Sequence, residues 1–418
     1  MRPGSRAAPA TAPGAPHGAA GGGPLELIDL GRGQPGTDLL PFRVVAEAGA
    51  VALQRRDPEL LQYGAERGPL GLREAVAAWL SRRAAGAAAT ATRGTEGGVD
   101  LVGAPGPDEL VITSGITVAL DLLCTLLAEP GGVVLVEEPT YHLAKLIFRD
   151  HRLRQVPVAG DEGGMLPEAL DEALARHPGA LVYLVPAFGN PTGASLSAAR
   201  ARRVLEVTER HGAWLLADEV YRLLDFGAGP APSLARRGAE RVVSLNSFSK
   251  VLAPGLRLGW LVAPPPLLRT FETSGLLQSG GGLNPLVGAV VEHALRAGGA
   301  DEHLDMLRGE LARRAAALGA ALRRHLPAAE FAAPAGGYFI WLRVPGAAPT
   351  GGALLERARA GGVGFVPGSA FSTAGGQGER LRLSFAHYDP ARLELGVERL
   401  AVAVESANVG GHGRRSDS

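Results

Sequence analysis

Short unbroken apolar runs alternate with amphipathic stretches from about residue 110 onward. ELVITSG reads as a strand ending in a glycine turn. Ile116, Leu120, Leu123 and Leu127 then recur at spacings of four, three and four, which predicts a helix with one buried face. Glu129-Pro-Gly-Gly stops it. VVLVEEPTY predicts a strand and turn, followed by a helix at 141–150, a strand at 154–158 and a helix at 167–176. A strand at 181–186, a helix at 197–211 and strands at 214–219, 242–247 and 258–263 complete the series. Continuous rather than alternating apolar strands imply burial on both faces. The pattern predicts an α/β fold with a mostly parallel, mixed seven-stranded sheet between helices.

The flanking regions have a different rhythm. Residues 25–30 predict a short strand, GRGQPG a turn, and 42–53 a helix. Leu72, Val76, Trp79 and Leu80 mark one face of another helix. After about residue 288 come a long Arg-, Ala- and Leu-rich helix at 300–325, three strands in GGYFIWLRV, GVGFVP and RLRLSFA, and helices near 350–360 and 390–405. The expected division is a large domain over 51–288 and a smaller α+β domain built from 25–50 and 289–406. Residues 84–108, rich in Ala, Gly, Thr and Pro, predict a flexible insertion. Residues 1–24 and 407–418 predict disordered tails.

Composition narrows the function. Formal net charge is zero, with 42 basic and 42 acidic residues, so no nucleic-acid partner and no acidic membrane surface are expected. No apolar run reaches the length of a membrane span, and residues 1–24 lack the apolar core of a secretory signal. The one cysteine, Cys124, falls on the helical apolar pattern and predicts a buried, inert thiol. With no disulfide possible within the chain, a reducing, cytoplasmic location is expected. The ten histidines show no metal-ligand spacing, so no metal site is expected.

Of the 42 basic residues only Lys145 and Lys250 are lysines. Lys250 lies in SFSK, a polar turn between two apolar runs, and Arg257 follows seven residues later. Arginine stays protonated, whereas a buried lysine can lose its proton and attack a carbonyl. Ligands of parallel sheets sit at the carboxyl ends of the strands. Ser114, Tyr141, Asn190, Asp218 and Lys250 all fall there. A carbonyl-trapping lysine, a buried carboxylate, hydroxyls with a guanidinium and a helix N-terminus match an aldehyde, a protonated ring nitrogen and a phosphate. Those groups together describe pyridoxal 5'-phosphate.

The sequence resembles the class I/II aminotransferases of the fold type I pyridoxal-phosphate family, in the branch of 2-aminoadipate and kynurenine aminotransferases. The matching blocks are LQYG…LR at 62–73, TSG at 113–115, VVLVEEPTY at 133–141, NPTG at 190–193, DEVY at 218–221, SFSK…R at 247–257, VPG at 366–368 and RLRLSFA at 380–386. They stand in the family's order across about residues 25–405. The resemblance implies that Lys250 holds the cofactor as an internal aldimine and shuttles the proton. It implies that Asp218 pairs with the ring nitrogen, that Asn190 and Tyr221 bond its phenolic oxygen, and that Tyr141 stacks on the ring. The phosphate would meet Ser247, Ser249, Arg257 and the backbone of Gly115, Ile116 and Thr117. Tyr63 would reach it from the neighbouring subunit, which implies a homodimer with shared active sites. Ile116 and Thr117 depart from the serine and glutamine of many relatives, leaving one phosphate hydroxyl unsupplied. Arg382 would clamp the substrate α-carboxylate, and Gly33 would line the entrance. The implied reaction moves an amino group between an L-amino acid and a 2-oxo acid. An alternative keeps the cofactor but ends in elimination, replacement, decarboxylation or oxidation. The loop 278–285 reads either as a cover over the site or as a linker.

Overall fold

A computed structural model describes residues 26–90, 104–227, 233–235, 240–280, 283–346 and 351–412. Its strands, in chain order, are β1 (Ile28–Asp29), β2 (Leu110–Thr113), β3 (Val133–Glu138), β4 (Arg154–Asp161), β5 (Gly164–Met165), β6 (Leu181–Leu184) and β7 (Leu215–Asp218). There follow β8 (Val242–Ser247), β9 (Gly259–Val262), β10 (Phe339–Arg343), β11 (Val363–Gly364), β12 (Val366–Pro367) and β13 (Arg380–Ser384).

Eight strands form one sheet in the order β2-β9-β8-β7-β6-β3-β4-β5. Neighbours from β4 to β8 are parallel, whereas β9 is antiparallel to both β8 and β2. The eighth strand corrects the expected seven. β4 runs on to Asp161, and β5 folds back on it with Gly160 opposite Met165. Two residues are too few to show a period in the sequence.

The central strands are apolar throughout because alternate residues serve two separate cores. On β6, Leu181 and Tyr183 enter one core while Val182 and Leu184 enter the other. On β7, Leu216 faces the first core and Leu215 and Ala217 the second. The first core holds Leu120 and Leu123 of helix Ile116–Leu127 and Phe148 of helix His142–Asp150. The second holds Leu170 and Leu174 of Pro167–Arg176 and Val204 and Leu205 of Ala198–Arg210. Cys124 is buried in the first core, and burial pushes its thiol up to about 12, so it is inert at neutral pH.

A smaller antiparallel sheet has the order β10-β13-β12, with Arg382 of β13 between Trp341 and Val366. β1 pairs in parallel with β11, Ile28 opposite Val363, which brings the N-terminal segment to the C-terminal part of the chain. The 27-residue helix Gly299–His325 packs on the last helix, Pro390–His412. Buried Arg314 of the long helix pairs with Asp38 and Glu310, and so ties down the turn after β1.

Several expectations need adjusting. Helix Leu70–Thr90 extends into the segment read as an insertion, because its alanines are the best helix formers. Residues 407–412, read as tail, continue the last helix; no proline interrupts it before the glycines at 410 and 411. Residues 1–24, 91–103, 281–282 and 413–418, on which the remaining tail, insertion and loop expectations fall, lie outside the described residues. Helices Pro265–Glu272 and Pro285–Arg296 were not expected. Each begins with proline, which the first helical turn tolerates.

Candidate active site

The sheet brings the polar strand ends together at one edge. β7 ends in Asp218, β8 leads through Ser247 to Lys250, and β2 leads to Gly115. Gly259 of β9 pairs with both Thr113 and Ser247, so the loops carrying Gly115 and Lys250 are adjacent. A side chain at 259 would come within 2.5 Å of the Asn246 carbonyl and 3.2 Å of Gly115 Cα, so only glycine allows this approach. Alternation places Asp218 on the face of Leu216, and Ser247 on the face of Val243 and Leu245, all toward the first core.

Lys250 sits in the single turn Phe248–Val251, where the Ser247 hydroxyl accepts a hydrogen bond from the Ser249 amide at 3.1 Å. Lys250 Nζ donates to the Gly33 carbonyl at 2.7 Å and lies 5.7 and 5.4 Å from the ring centroids of Tyr221 and Tyr338. The Tyr338 hydroxyl donates to the Lys250 carbonyl at 2.8 Å, fixing the turn from the opposite sheet. Part of the lysine side chain stays open to solvent, but the amine is surrounded by protein. Burial, then the nearby Arg382 charge, lower its pKa to about 8, while Asp218 pulls the other way.

That shift gives a pH prediction. Only the neutral amine attacks an aldehyde, so aldehyde capture by the apoprotein should accelerate with pH and level off above about 8. Stopped-flow absorbance checks it; a rate still climbing toward the ordinary lysine value of 10.5 overturns it. Between those two values the unfolded chain binds a proton that the folded chain does not. The lysine's contribution to apoprotein stability therefore rises with pH across that window.

Asp218 is buried and accepts hydrogen bonds from the Tyr183 hydroxyl at 2.7 Å and the Val220 amide at 3.4 Å. Burial raises its carboxyl to about 6 despite these donors. A cationic partner would reverse that shift. Neighbouring Glu219 points away, accepting from Ser233, Ser244 and the Leu234 amide.

Arg382 is buried, with Nη1 donating to Asn190 Oδ1 at 2.9 Å and Nη2 to the Gly31 carbonyl at 2.7 Å. Its Nε is buried without a hydrogen-bond partner. The guanidinium lies 4.2 Å from the Phe339 ring centroid and 5.1 Å from that of Phe371. Arg257 adopts a left-handed backbone (φ 49°), unusual for a residue with a side chain, and donates to Ser249 Oγ at 3.4 Å and the Pro254 carbonyl at 3.2 Å. A Cβ on Gly115 would lie 2.9 Å from Arg257 Nη2, so the bare glycine leaves a cradle beneath the guanidinium. Gly115 also opens helix Ile116–Leu127 with no side-chain cap, leaving the first amides of that helix available to an anion.

Among the described residues Lys250, Arg257 and Arg382 lie within ion-pair distance of no carboxylate, and Asp218 lies within ion-pair distance of no cation. Three cations and one buried carboxylate left unpaired fit a ligand carrying a phosphate, a carboxylate and a cationic nitrogen.

The profile described as aminotransferase class I and II matches residues 26–400. The chain belongs to this family. It is a pyridoxal 5'-phosphate-dependent aminotransferase of fold type I. A 2-aminoadipate transaminase of Thermus thermophilus is 34% identical to this aminotransferase over 387 residues, covering 91% of this chain and 90% of that one. An aromatic-amino-acid aminotransferase of Thermococcus litoralis is 29% identical, covering 91% and 88%. The crystal structure of the α-aminoadipate aminotransferase LysN from Thermus thermophilus, complexed with N-(5'-phosphopyridoxyl)-L-leucine, superposes with a TM-score of 0.80 at 32% identity, covering 92% of this chain and 93% of that one.

The aminotransferase gathers most of the expected residues. Lys250 meets Gly33 and Tyr221 directly, Asp218 and Arg382 act on its charge, and Arg382 holds Asn190, while Gly115, Ser249 and Arg257 form the cradle beside Ser247. Tyr141 stands just before helix His142–Asp150, without a side-chain capping bond, and is half-buried. Burial and then Asp218 push its phenol up to about 12. Ile116 is half-buried against the first core and Thr117 is exposed. Tyr63 is not brought to this cluster; it is 82% exposed, its ring packed over Gly280. Tyr338, which the sequence offers with Phe188 and Phe365 as a side-chain pocket candidate or as core, lies against Lys250, whereas sequence reasoning missed Tyr183, Phe339, Phe371 and the carbonyl of Gly31. Strand parity was a usable signal for Tyr183 alone, since it shares the face of Asp218.

Proposed function

We propose that Lys250, Asp218, Arg257 and Arg382 are the chemical core of this aminotransferase, each cation or carboxylate answering one group of the cofactor or the substrate. The observation that carries the assignment is that these four charges converge without pairing. Bound pyridoxal phosphate supplies an aldehyde that accepts the amino group and a ring that withdraws electrons from the substrate Cα. Arg257, Ser247, Ser249 and the amides of Gly115, Ile116 and Thr117 hold the phosphate. Asp218, kept in place by Tyr183, holds the proton on the ring nitrogen. Tyr221 and Asn190 donate to the phenolic oxygen, and Tyr141 covers the ring. Arg382 takes the substrate α-carboxylate, which supplies the acceptor its Nε lacks. With the cofactor bound, Lys250 Nζ would take the proton from the substrate Cα and hand it back on the cofactor side. Its lowered pKa keeps a neutral amine available near pH 8.

The same proposal includes a homodimer in which Tyr63 reaches the neighbouring phosphate site. Its support is the outward-facing tyrosine, two residues from exposed Leu61. Residues 51–288 are proposed as the cofactor-binding domain, and 25–50 with 289–406 as the smaller one, supported by the β1–β11 pairing. A cytoplasmic location is supported by the lone reduced cysteine. No helix among the described residues is long and apolar enough to cross a membrane. Relatives named for 2-aminoadipate and for aromatic amino acids make those the first donors to try.

The test is a half-reaction. Holoenzyme given an amino acid and no oxo acid should yield one equivalent of the matching 2-oxo acid and the amine form of the cofactor. Release of ammonia, carbon dioxide or a side-chain fragment overturns transamination in favour of elimination or decarboxylation.

A further inference from the structure

Lys145 is the other lysine, and the chemistry above does not use it. It lies in helix His142–Asp150, directly after Tyr141, and its backbone carbonyl accepts from Gln155 at 2.9 Å. Its amine does not face a carboxylate at ion-pair distance. It donates instead to two carbonyls 225 and 227 residues away, those of Ala370 (3.1 Å) and Ser372. The carbonyl between them, that of Phe371, accepts from the Thr140 amide at 3.0 Å. The next two amides, Thr373 and Ala374, donate to Glu138 Oε2 at 2.7 and 3.3 Å. Five consecutive residues, 370–374, are thus held through their backbone by 138–145.

The residue at the centre of that grip is Phe371. It is fully buried, and its ring centroid lies 5.1 Å from the Arg382 guanidinium and 4.8 Å from the His142 ring. Among the described residues Arg382 has two hydrogen bonds, to Asn190 and Gly31, and the rings of Phe339 and Phe371 lie against its guanidinium. A guanidinium binds a carboxylate bidentately only in the right plane. The lysine type suits this place. A compact ammonium on a flexible stem can serve two carbonyls of one turn, whereas arginine presents a wider planar fork.

We propose that Lys145 is a positioning residue for the substrate: with Thr140 and Glu138 it fixes residues 370–374, so that Phe371 holds Arg382 in the plane that receives the α-carboxylate. The inference rests on the reading of Arg382 as the carboxylate site.

The test uses holoenzyme of Lys145→Met, which keeps the stem and removes the donor, and of Phe371→Leu, which keeps the backbone grip and removes the ring. Each should raise KM for both amino acid and oxo acid by about tenfold, with kcat within about twofold and the visible spectrum of the resting cofactor unchanged. In an Arg382→Ala background neither substitution should raise KM further, because the group they act through is gone. If Arg382→Ala raises KM but Lys145→Met and Phe371→Leu do not, Lys145 is merely structural and the inference falls. If Arg382→Ala itself leaves KM unchanged, the carboxylate assignment falls, and this inference with it. A fully additive double mutant also overturns it. Should Lys145→Met fold poorly, Phe371→Leu decides alone.

Discussion

Lys250→Ala is expected to cut turnover by about 10⁴-fold or more, since it removes both the covalent anchor and the proton carrier. The loss should be specific to chemistry. The amine makes one hydrogen bond, to the Gly33 carbonyl, and its burial disfavours the charged form, so the variant should fold at least as stably as the parent near neutral pH. Borohydride reduction followed by peptide mass analysis reads the anchor directly. The parent should carry the cofactor on the Lys250 peptide, and the variant should carry none. Lys145→Met should keep the label on Lys250, because Lys145 donates to carbonyls of the 370–372 turn. A label that survives in Lys250→Ala would sink the assignment.

Arg382→Ala is expected to lower kcat/KM by roughly 10²-fold, about the loss of one or two charge-assisted hydrogen bonds to the substrate. The effect should appear mainly in KM, and equally for amino acid and oxo acid, because both carry the same carboxylate. Arg382→Lys should recover only part of it, since a point charge cannot engage both oxygens in a fixed plane. Cofactor loading should persist, as Arg257 and the Gly115 cradle stand apart from Arg382. Amino esters, which lack the carboxylate charge, make a second check. They should react poorly with the parent and no worse with the variant.

Much of this was legible in the sequence, for a physical reason. Parallel strands buried on both faces read as unbroken apolar runs, so a polar residue at their ends stands out. Asp218 after LLA and Lys250 after VVSLNS are of this kind. The anion cradle was legible because a glycine before an apolar helix leaves amides uncapped, as at Gly115. The rest needed the fold. Gly31 contributes a carbonyl, and a backbone acceptor has no signature in a side-chain alphabet. Phe339 and Phe371 look like ordinary core until β13 places Arg382 beside them. Tyr183 sat inside an apolar run, where only its parity with Asp218 gave it away. Tyr63 faces outward, so the role proposed for it depends on a second copy of the chain.

The division of the strands between two cores also sorts the molecule by evolutionary freedom. Asp218 and Ser247 face the first core, where Leu120 and Phe148 pack behind the reactive edge. The second core, with Leu170, Leu174, Val204 and Leu205, backs onto the other side of the sheet and holds none of the residues assigned to cofactor or substrate. Drift or redesign in that second layer trades in stability alone. The same change in the first layer, close to the reactive edge, alters stability and catalysis together, so an engineer seeking robustness has the smaller second layer to work on without touching a residue assigned to the chemistry.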